Sequence, residues 1–345
     1  MDRVRIKDIL NDYTSYLNKE VLIKAWVRTL RESKNIIFIQ VNDGSCFKNI
    51  QLIINFKSQE EFNGFTKVQR GSSIEVEGII IESQGSEQNI ELDVQGIKLI
   101  SGVSEDYPLQ KKRHSFEFLR TIAHLRPRTN TIMAITILRN SLAKNIHKYF
   151  QDRGYLWIHT PIITTSDAEG SGSLFRVTTL DIEKPNKDIN MDYFAKDTFL
   201  TPTGQLNVES FVHAFDRVYT FGPTFRAENS NTARHASEFW MVEPEIAFCN
   251  LELNMDIVEE FLKEIISNTM QECSEEMEFF DKWLENGILD KLNNIINKPF
   301  KRITYTEAIE LLKESNKDFE YDYSWGSDLQ TEHERYIAEE VFDGP

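Results

Sequence analysis

Cysteine is scarce in this 345-residue chain: Cys46, Cys249 and Cys273 are the only three, and none of them forms a CxxC pair. That excludes a disulfide framework and a zinc cage of thiolates, and points to a reduced, cytosolic protein. The seven histidines include no HExxH, so a zincin-type centre is excluded too. Long apolar runs are missing. The first residues, Met1 to Lys7, are charged, unlike a signal peptide, and no stretch approaches the ~20 apolar residues of a membrane span. A Gly-rich phosphate loop is absent, as is the βαβ rhythm of a doubly wound sheet. Any use of ATP must rest on another device.

What is present suits ordinary globular cores, with 40% hydrophobic residues and a length that calls for two domains. The net charge of −16 argues against a polyanionic partner. Its distribution argues the other way. Residues 1–105 carry 13 basic against 15 acidic side chains, 106–160 carry 10 against 3, and 161–345 carry 16 against 37. A basic belt between two non-basic blocks suits a polyanion held at a domain junction; surplus lysines on a solvated linker would give the same counts.

The first block reads as β structure. Ile- and Val-rich runs at 21–30, 36–41, 49–54, 73–81 and 90–100 are separated by turn signals such as Asn42-Asp43-Gly44 and Arg70-Gly71. A polar, helical piece at 58–68 interrupts the third and fourth runs. Five strands with a helix at that point is the order of an OB-fold barrel, and a generic five-stranded sandwich is the alternative. Beyond the belt, apolar residues at Ile132, Ile135, Leu138, Leu142, Ile146 and Tyr149 have helical spacing, with Gly154 as the stop. Short strands at 155–159, 217–227 and 238–248 then alternate irregularly with helices, among them a long amphipathic one at 251–271. Thr304 and Glu307 form a capping box opening a helix at 305–314, and a last helix opens at 326–329 and runs through Arg335. The class is α+β, in domains 1–105 and 131–345 joined by a basic hinge at 106–130.

The sharpest chemical pattern is Phe225-Arg226-Ala227-Glu228, a polar loop, then Arg234-His235 and Phe239 and Glu243. A strand–loop–strand of this kind supplies a fixed cation, an acceptor, two mobile cations and an aromatic plane. Those suit an α-phosphate, an adenine amine, terminal phosphates and an adenine face. A lone FRxE would equally be a buried Arg–Glu pair in a hairpin. The fuller run, FGPTFRAENSNTARHASEFWMVEPE, resembles motif 2 of class II aminoacyl-tRNA synthetases and is similar to bacterial asparaginyl-tRNA synthetases. Upstream, Arg153-Gly154-Tyr155-Leu156-Trp157-Ile158-His159-Thr160-Pro161 resembles motif 1, whose proline, here Pro161, lies at the homodimer interface of that family.

The resemblance covers essentially the whole chain and implies a set of roles. Arg226 steadies carboxylate and α-phosphate; Glu228 and Phe239 hold adenine; Arg234 and His235 hold the outer phosphates of ATP. The loop 166–172 becomes a lid with Glu169 on the α-ammonium, joined by Gln205. Glu209 and Glu243 complete the amino-acid pocket. Aspartate enzymes have a lysine where this chain has Val208, and a buried substrate carboxylate there would lose its counter-ion, whereas a neutral amide would not. In the barrel, Phe38 and Gln51 are an aromatic and an amide on neighbouring strands, the groups that stack and read a splayed base. A core Phe and an edge Gln would look the same. The resemblance assigns the pair to the central anticodon base, with Arg28, Lys111, Lys112, Arg113 and Arg120 as further tRNA contacts.

In that family, more sequence follows the position of Pro345, carrying motif 3 and the acidic Mg²⁺ ligands. The resemblance therefore implies a catalytic domain incomplete at its C-terminus, with no metal ligand inside it and doubtful competence by itself. The implied activity is formation of asparaginyl-adenylate from asparagine and ATP, then transfer to tRNA(Asn). An aspartate–tRNA ligase and a non-catalytic tRNA-binding module are the rivals; an ATP-dependent ligase of free amino acids would have no use for the barrel.

Overall fold

The computed structural model describes residues 2–33, 36–56, 67–85, 88–110, 112–166, 173–181, 183, 188–229 and 235–345. They form two compact units, Met1–Arg139 with Cys273–Ile288, and Asn140–Glu272 with Leu289–Pro345.

In the first unit the alternating runs become strands β1 (Glu20–Ser33), β2 (Ile36–Asn42), β3 (Ile50–Asn55), β4 (Ser73–Glu82) and β5 (Ile90–Ser101). They close in the order β1-β2-β3-β5-β4, a barrel and not a sandwich, with β3 and β5 parallel and the other ladders antiparallel. Period-two patterning sends Ile23, Ile39, Leu52, Ile74, Ile80 and Leu92 wholly inside, together with Ile6 and Ile9 of helix α1 (Ile6–Asn11). Gly78 sits where the β4–β5 register shifts, and a Cβ there would lie 2.4 Å from the Asp93 carbonyl oxygen. Only glycine fits that approach.

The Asn42-Asp43-Gly44 turn does more than reverse the chain. The buried Asp43 carboxylate accepts from the Ile6 and Ser45 amides, the Ser45 hydroxyl and Arg3, which fastens α1 to the barrel. Burial opposes ionisation of Asp43, but these donors outweigh it and hold its pKa below the usual aspartate value. The belt contributes helix α2 (Phe116–Thr121), capped by Ser115, and a 3₁₀ turn at Arg126–Arg128. The predicted helix at 58–68 lies outside the described residues except for Lys67 and Val68.

The second unit takes up α3 (Asn130–Asp152) from Asn140 onward, and a sheet of β6 (Leu156–Trp157), β9 (Arg217–Phe225) and β10 (Glu238–Ile246) in the order β10-β9-β6. The long β9–β10 ladder is antiparallel, and the two-residue β6 runs parallel to β9. A separate pair joins β7 (Ile163–Thr164) to β8 (Phe199–Leu200). The core is aromatic: Tyr149, Phe150, Tyr155, Tyr219 and Phe221, with Phe150 stacked on Tyr219 at 4.6 Å. Helix α4 (Gln205–Phe215) packs on β9 and β10. Arg153 ties the end of α3 to α5 (Leu251–Glu272), meeting Glu260 at 2.7 Å and Glu264 at 2.6 Å.

Further along, α6 (Ser274–Trp283) and α7 (Ile288–Asn297) were not foreseen from the sequence. The first of them packs on the barrel, where Phe279 meets Phe47 edge-on at 5.4 Å. The Thr304–Glu307 capping box forms as expected and opens α8 (Tyr305–Glu314). The last helix starts later than expected. Residues 324–327 instead wrap their hydroxyls around Asp322, and α9 (Thr331–Arg335) is capped by Gln330.

Candidate active site

Two strand ends and one helix start build the site. β9 finishes at Phe225, and the ladder is extended by the Arg226 amide donating to the Ser237 carbonyl at 3.1 Å. Phe239 pairs with Thr224, one register step inside. That places the Arg226 guanidinium 5.5 Å from the centre of the Phe239 ring. Its Nε is buried and has no hydrogen-bond partner among the described residues. A desolvated N–H of a cation is costly to leave unpaired, so the position is suited to an incoming phosphate or carboxylate oxygen.

Glu228 and His235 face each other across the mouth of the loop at 3.7 Å, both about half exposed. Arg234 and Glu169 lie outside the described residues. The segment leaving the expected lid is nonetheless anchored beside Arg226, because the Ala227 amide donates to the Ser173 carbonyl at 2.8 Å.

The second wall is the entry to α4. The Phe225 amide bonds the Thr201 carbonyl, and Thr201 in turn bonds the Ile162 carbonyl, so the strand end and the Thr201-Pro202-Thr203-Gly204 approach are locked together. Glu243 on β10 accepts from the Thr203 hydroxyl and, at 3.0 Å, from the Gly204 amide. Its carboxylate holds the start of α4 in place. Gly204 has no room for a side chain: a Cβ would lie 2.7 Å from Thr160 Oγ1 and 2.8 Å from Thr220 Cγ2.

Gln205 is the first residue of α4, and its side chain works against a rise in the Glu245 pKa. Burial, reinforced by the charges of Glu209 and Glu243, pushes the Glu245 pKa up. Three carboxylates and an amide therefore share one corner, an environment that favours a cation such as an ammonium group. Glu245 was not singled out as a site residue. The signal was there, since period two on β10 sends Glu243 and Glu245 to the same face. Val208 is fully buried on α4 against the sheet side, an uncharged position as the sequence indicates. Pro161 is exposed beyond β6.

On the barrel, Phe38 is half-buried opposite Ile53, with the Arg31 guanidinium 5.0 Å above its ring. Gln51 lies opposite Gln40, one step along the same outer face, and its NH₂ donates to Glu91 at 2.8 Å. Arg28 turns inward, donating to the Arg128 carbonyl and the Asn130 side chain, so it braces the barrel against the belt. Arg113 is held by the Trp283 carbonyl at 3.0 Å, whereas Lys112 and Arg120 are exposed; Lys111 lies outside the described residues.

Class II synthetases use ATP and Mg²⁺. Among the described residues, no group of three or more His, Cys, Asp or Glu is arranged to hold a metal ion. The described residues therefore do not fit Mg²⁺. No helix among the described residues is long and apolar enough to cross a membrane.

Comparison with known proteins follows the two units. Residues 21–100 match an OB-fold nucleic acid binding domain, and residues 115–343 match the class II tRNA synthetases of the D, K and N group. An asparagine–tRNA ligase of Desulfitobacterium hafniense is 53% identical over 100% of this chain and 76% of its own length; one of Acetivibrio thermocellus is 51% identical over the same shares. The chain belongs to the asparagine–tRNA ligase family. Among solved structures, asparaginyl-tRNA synthetase of Pyrococcus horikoshii complexed with asparaginyl-adenylate superposes with a TM-score of 0.82 at 28% identity, over 99% of this chain and 72% of that one.

Proposed function

We propose that this chain's protein activates asparagine with ATP and passes the aminoacyl group to tRNA(Asn), working in the cytosol as a homodimer. The observation that carries the reading is Arg226: a guanidinium whose Nε is buried and unpartnered among the described residues, beside an aromatic ring where β9 ends and β10 begins. There it holds the α-phosphate and the attacking carboxylate together, and positioning of this kind supplies much of the rate. Phe239 offers the adenine face, Glu228 the adenine amine acceptor, and His235 with Arg234 the outer phosphate contacts. The ammonium group of the substrate settles in the acidic corner of Gln205, Glu209 and Glu245, with Glu169 closing over it. Glu243 acts at one remove, by holding α4 and hence Gln205. Phe38 and Gln51 take the central anticodon base, and Lys112 and Arg120 take phosphates.

The uncharged Val208 and the acidic corner both favour an amide side chain over a carboxylate. Binding of non-hydrolysable asparaginyl- and aspartyl-sulfamoyl adenosine, measured by calorimetry, tests this without requiring turnover. The asparaginyl compound should bind at least about 100-fold tighter. Equal affinities refute the amino-acid assignment.

A further inference from the structure

Between Ser173 and β8, regular structure is almost absent. The described residues there hold one isolated bridge, Arg176 to Phe199, and a 3₁₀ turn at Ile189–Met191. Apolar burial does not hold this stretch either: Met191 is 76% exposed and Tyr193 77%, with Phe175 and Phe194 exposed as well. A buried carboxylate fastens it. Asp192 accepts from the Thr178 hydroxyl at 2.6 Å, the Thr179 amide at 2.9 Å, the Thr179 hydroxyl at 3.0 Å and the Tyr193 amide at 2.8 Å. These neutral donors, the Thr178 hydroxyl first among them, hold the Asp192 pKa well below the usual aspartate range.

The fastening leads to the reacting groups. From Thr178 the arm 173–180 runs back along β8, where the Val177 amide donates to the Thr198 carbonyl at 2.8 Å and the Leu200 amide to the Phe175 carbonyl at 2.9 Å. At its other end the Ser173 carbonyl accepts from the Ala227 amide, directly after Arg226. Arg226 is thus flanked by two ties. Phe225, before it, is the end of β9 and bonds Thr201; Ala227, after it, bonds only the arm through its amide. A hydrogen bond to a segment without a core of its own is as firm as that segment's anchor. Asp192 is the anchor.

We propose that Asp192 is a positioning residue for the aminoacylation site: by holding Thr178 and Thr179 it seats the arm on β8, and through the Ser173 carbonyl it fixes the backbone from which Arg226 reaches its ligand. The proposal rests on the reading of Arg226 as the grip on α-phosphate and carboxylate. Geometry, more than charge, does the holding. Oδ1 takes three of the four bonds and Oδ2 only the one from Thr178. Asparagine keeps the first oxygen and offers the Thr178 hydroxyl a donor in place of the second.

Backbone amide exchange by NMR and calorimetric binding of asparaginyl-sulfamoyl adenosine, on the whole chain and its variants, test it. Asp192→Ala should speed exchange of the Ala227 amide about tenfold or more relative to Phe225, where a general loss of stability would speed both. It should also weaken the analogue about tenfold or more. Asp192→Asn should stay within about threefold of wild type in both respects. Thr178→Val removes a single donor; it should move both readings in the alanine direction by about threefold, and it decides the matter where the alanine variant fails to fold. Ala227 exchange untouched by Asp192→Ala overturns the proposal. So does faster exchange with undiminished analogue binding, or an asparagine variant as poor as the alanine one. A wild-type chain that binds no analogue overturns the reading of Arg226 instead, and Ala227 exchange then decides the link to Asp192 by itself.

Discussion

Every strand of the barrel has a neighbour on each side, because β4 closes onto β1, whereas the β10-β9-β6 sheet ends in two edges. Those edge strands carry Trp240 and Trp157, each about half exposed, while the barrel interior is a continuous set of fully buried Ile, Leu and Val. The site residues follow the same division. Phe38 and Gln51 stand on the outer face of a ladder whose closure rests on backbone pairing and on the buried residues of the opposite face. Arg226 and Gln205 stand where a strand ends and a helix begins, and the Glu243 carboxylate, accepting from Thr203 and Gly204, holds that helix start in place. In the barrel, stability and binding are separable; in the second unit they are coupled.

Asp43→Ala is the strongest way to break the barrel half of that comparison. It removes a buried carboxylate that accepts four hydrogen bonds, and should cost about 3 kcal/mol in urea unfolding while leaving adenylate-analogue binding by the folded protein unchanged. Because the folded pKa of Asp43 is depressed, its stabilisation is complete above the ordinary value of 3.8 and is lost as pH falls through the lowered one. Asp43→Asn should therefore flatten the acid limb of the stability profile below that value. A loss of analogue affinity alongside the loss of barrel stability would mean the two units are not separable.

Gly204→Ala tests the coupled half. With a Cβ pressed against Thr160 and Thr220, the start of α4 must shift, so stability should fall by about 1–2 kcal/mol and analogue affinity by about tenfold together. If only the melting temperature moves, Gln205 is not positioned by this contact. The smallest effect is expected at Glu245. Its folded pKa is raised, so ionisation penalises the native state increasingly as pH climbs above the ordinary value of 4.5. Glu245→Gln should raise the melting temperature by ~1–3 °C at pH 7, with no gain below about pH 4.5, and should weaken analogue binding if the corner holds an ammonium. A variant that is both more stable and fully able to bind removes Glu245 from the site.

How much of this was legible in the residues themselves also divides between the units. Ile- and Val-rich runs bounded by turn signals located all five barrel strands to within a few residues, and Thr304–Glu307 announced its helix. Local chemistry suffices in such cases. The contact of Arg28 with Arg128, a hundred positions away, was not legible in the sequence. The bonds of Glu243 to Thr203 and Gly204 were likewise not legible, because those donors lie about forty residues upstream and reach it only through the packing of α4 on the sheet. The hairpin of Arg226 and Phe239 was visible through its motif, not its periodicity, and the strand register supplies the physical reason for their meeting.

Substitution of Arg226, whose Nε is buried and unpartnered among the described residues, tests the central claim most directly. Binding of asparaginyl-sulfamoyl adenosine to Arg226→Ala and Arg226→Lys, set beside circular dichroism of each variant, separates loss of grip from loss of fold. The account predicts a drop of about 100-fold or more for alanine, incomplete recovery by lysine, and unaltered spectra. Undiminished binding by a folded Arg226→Ala protein contradicts it.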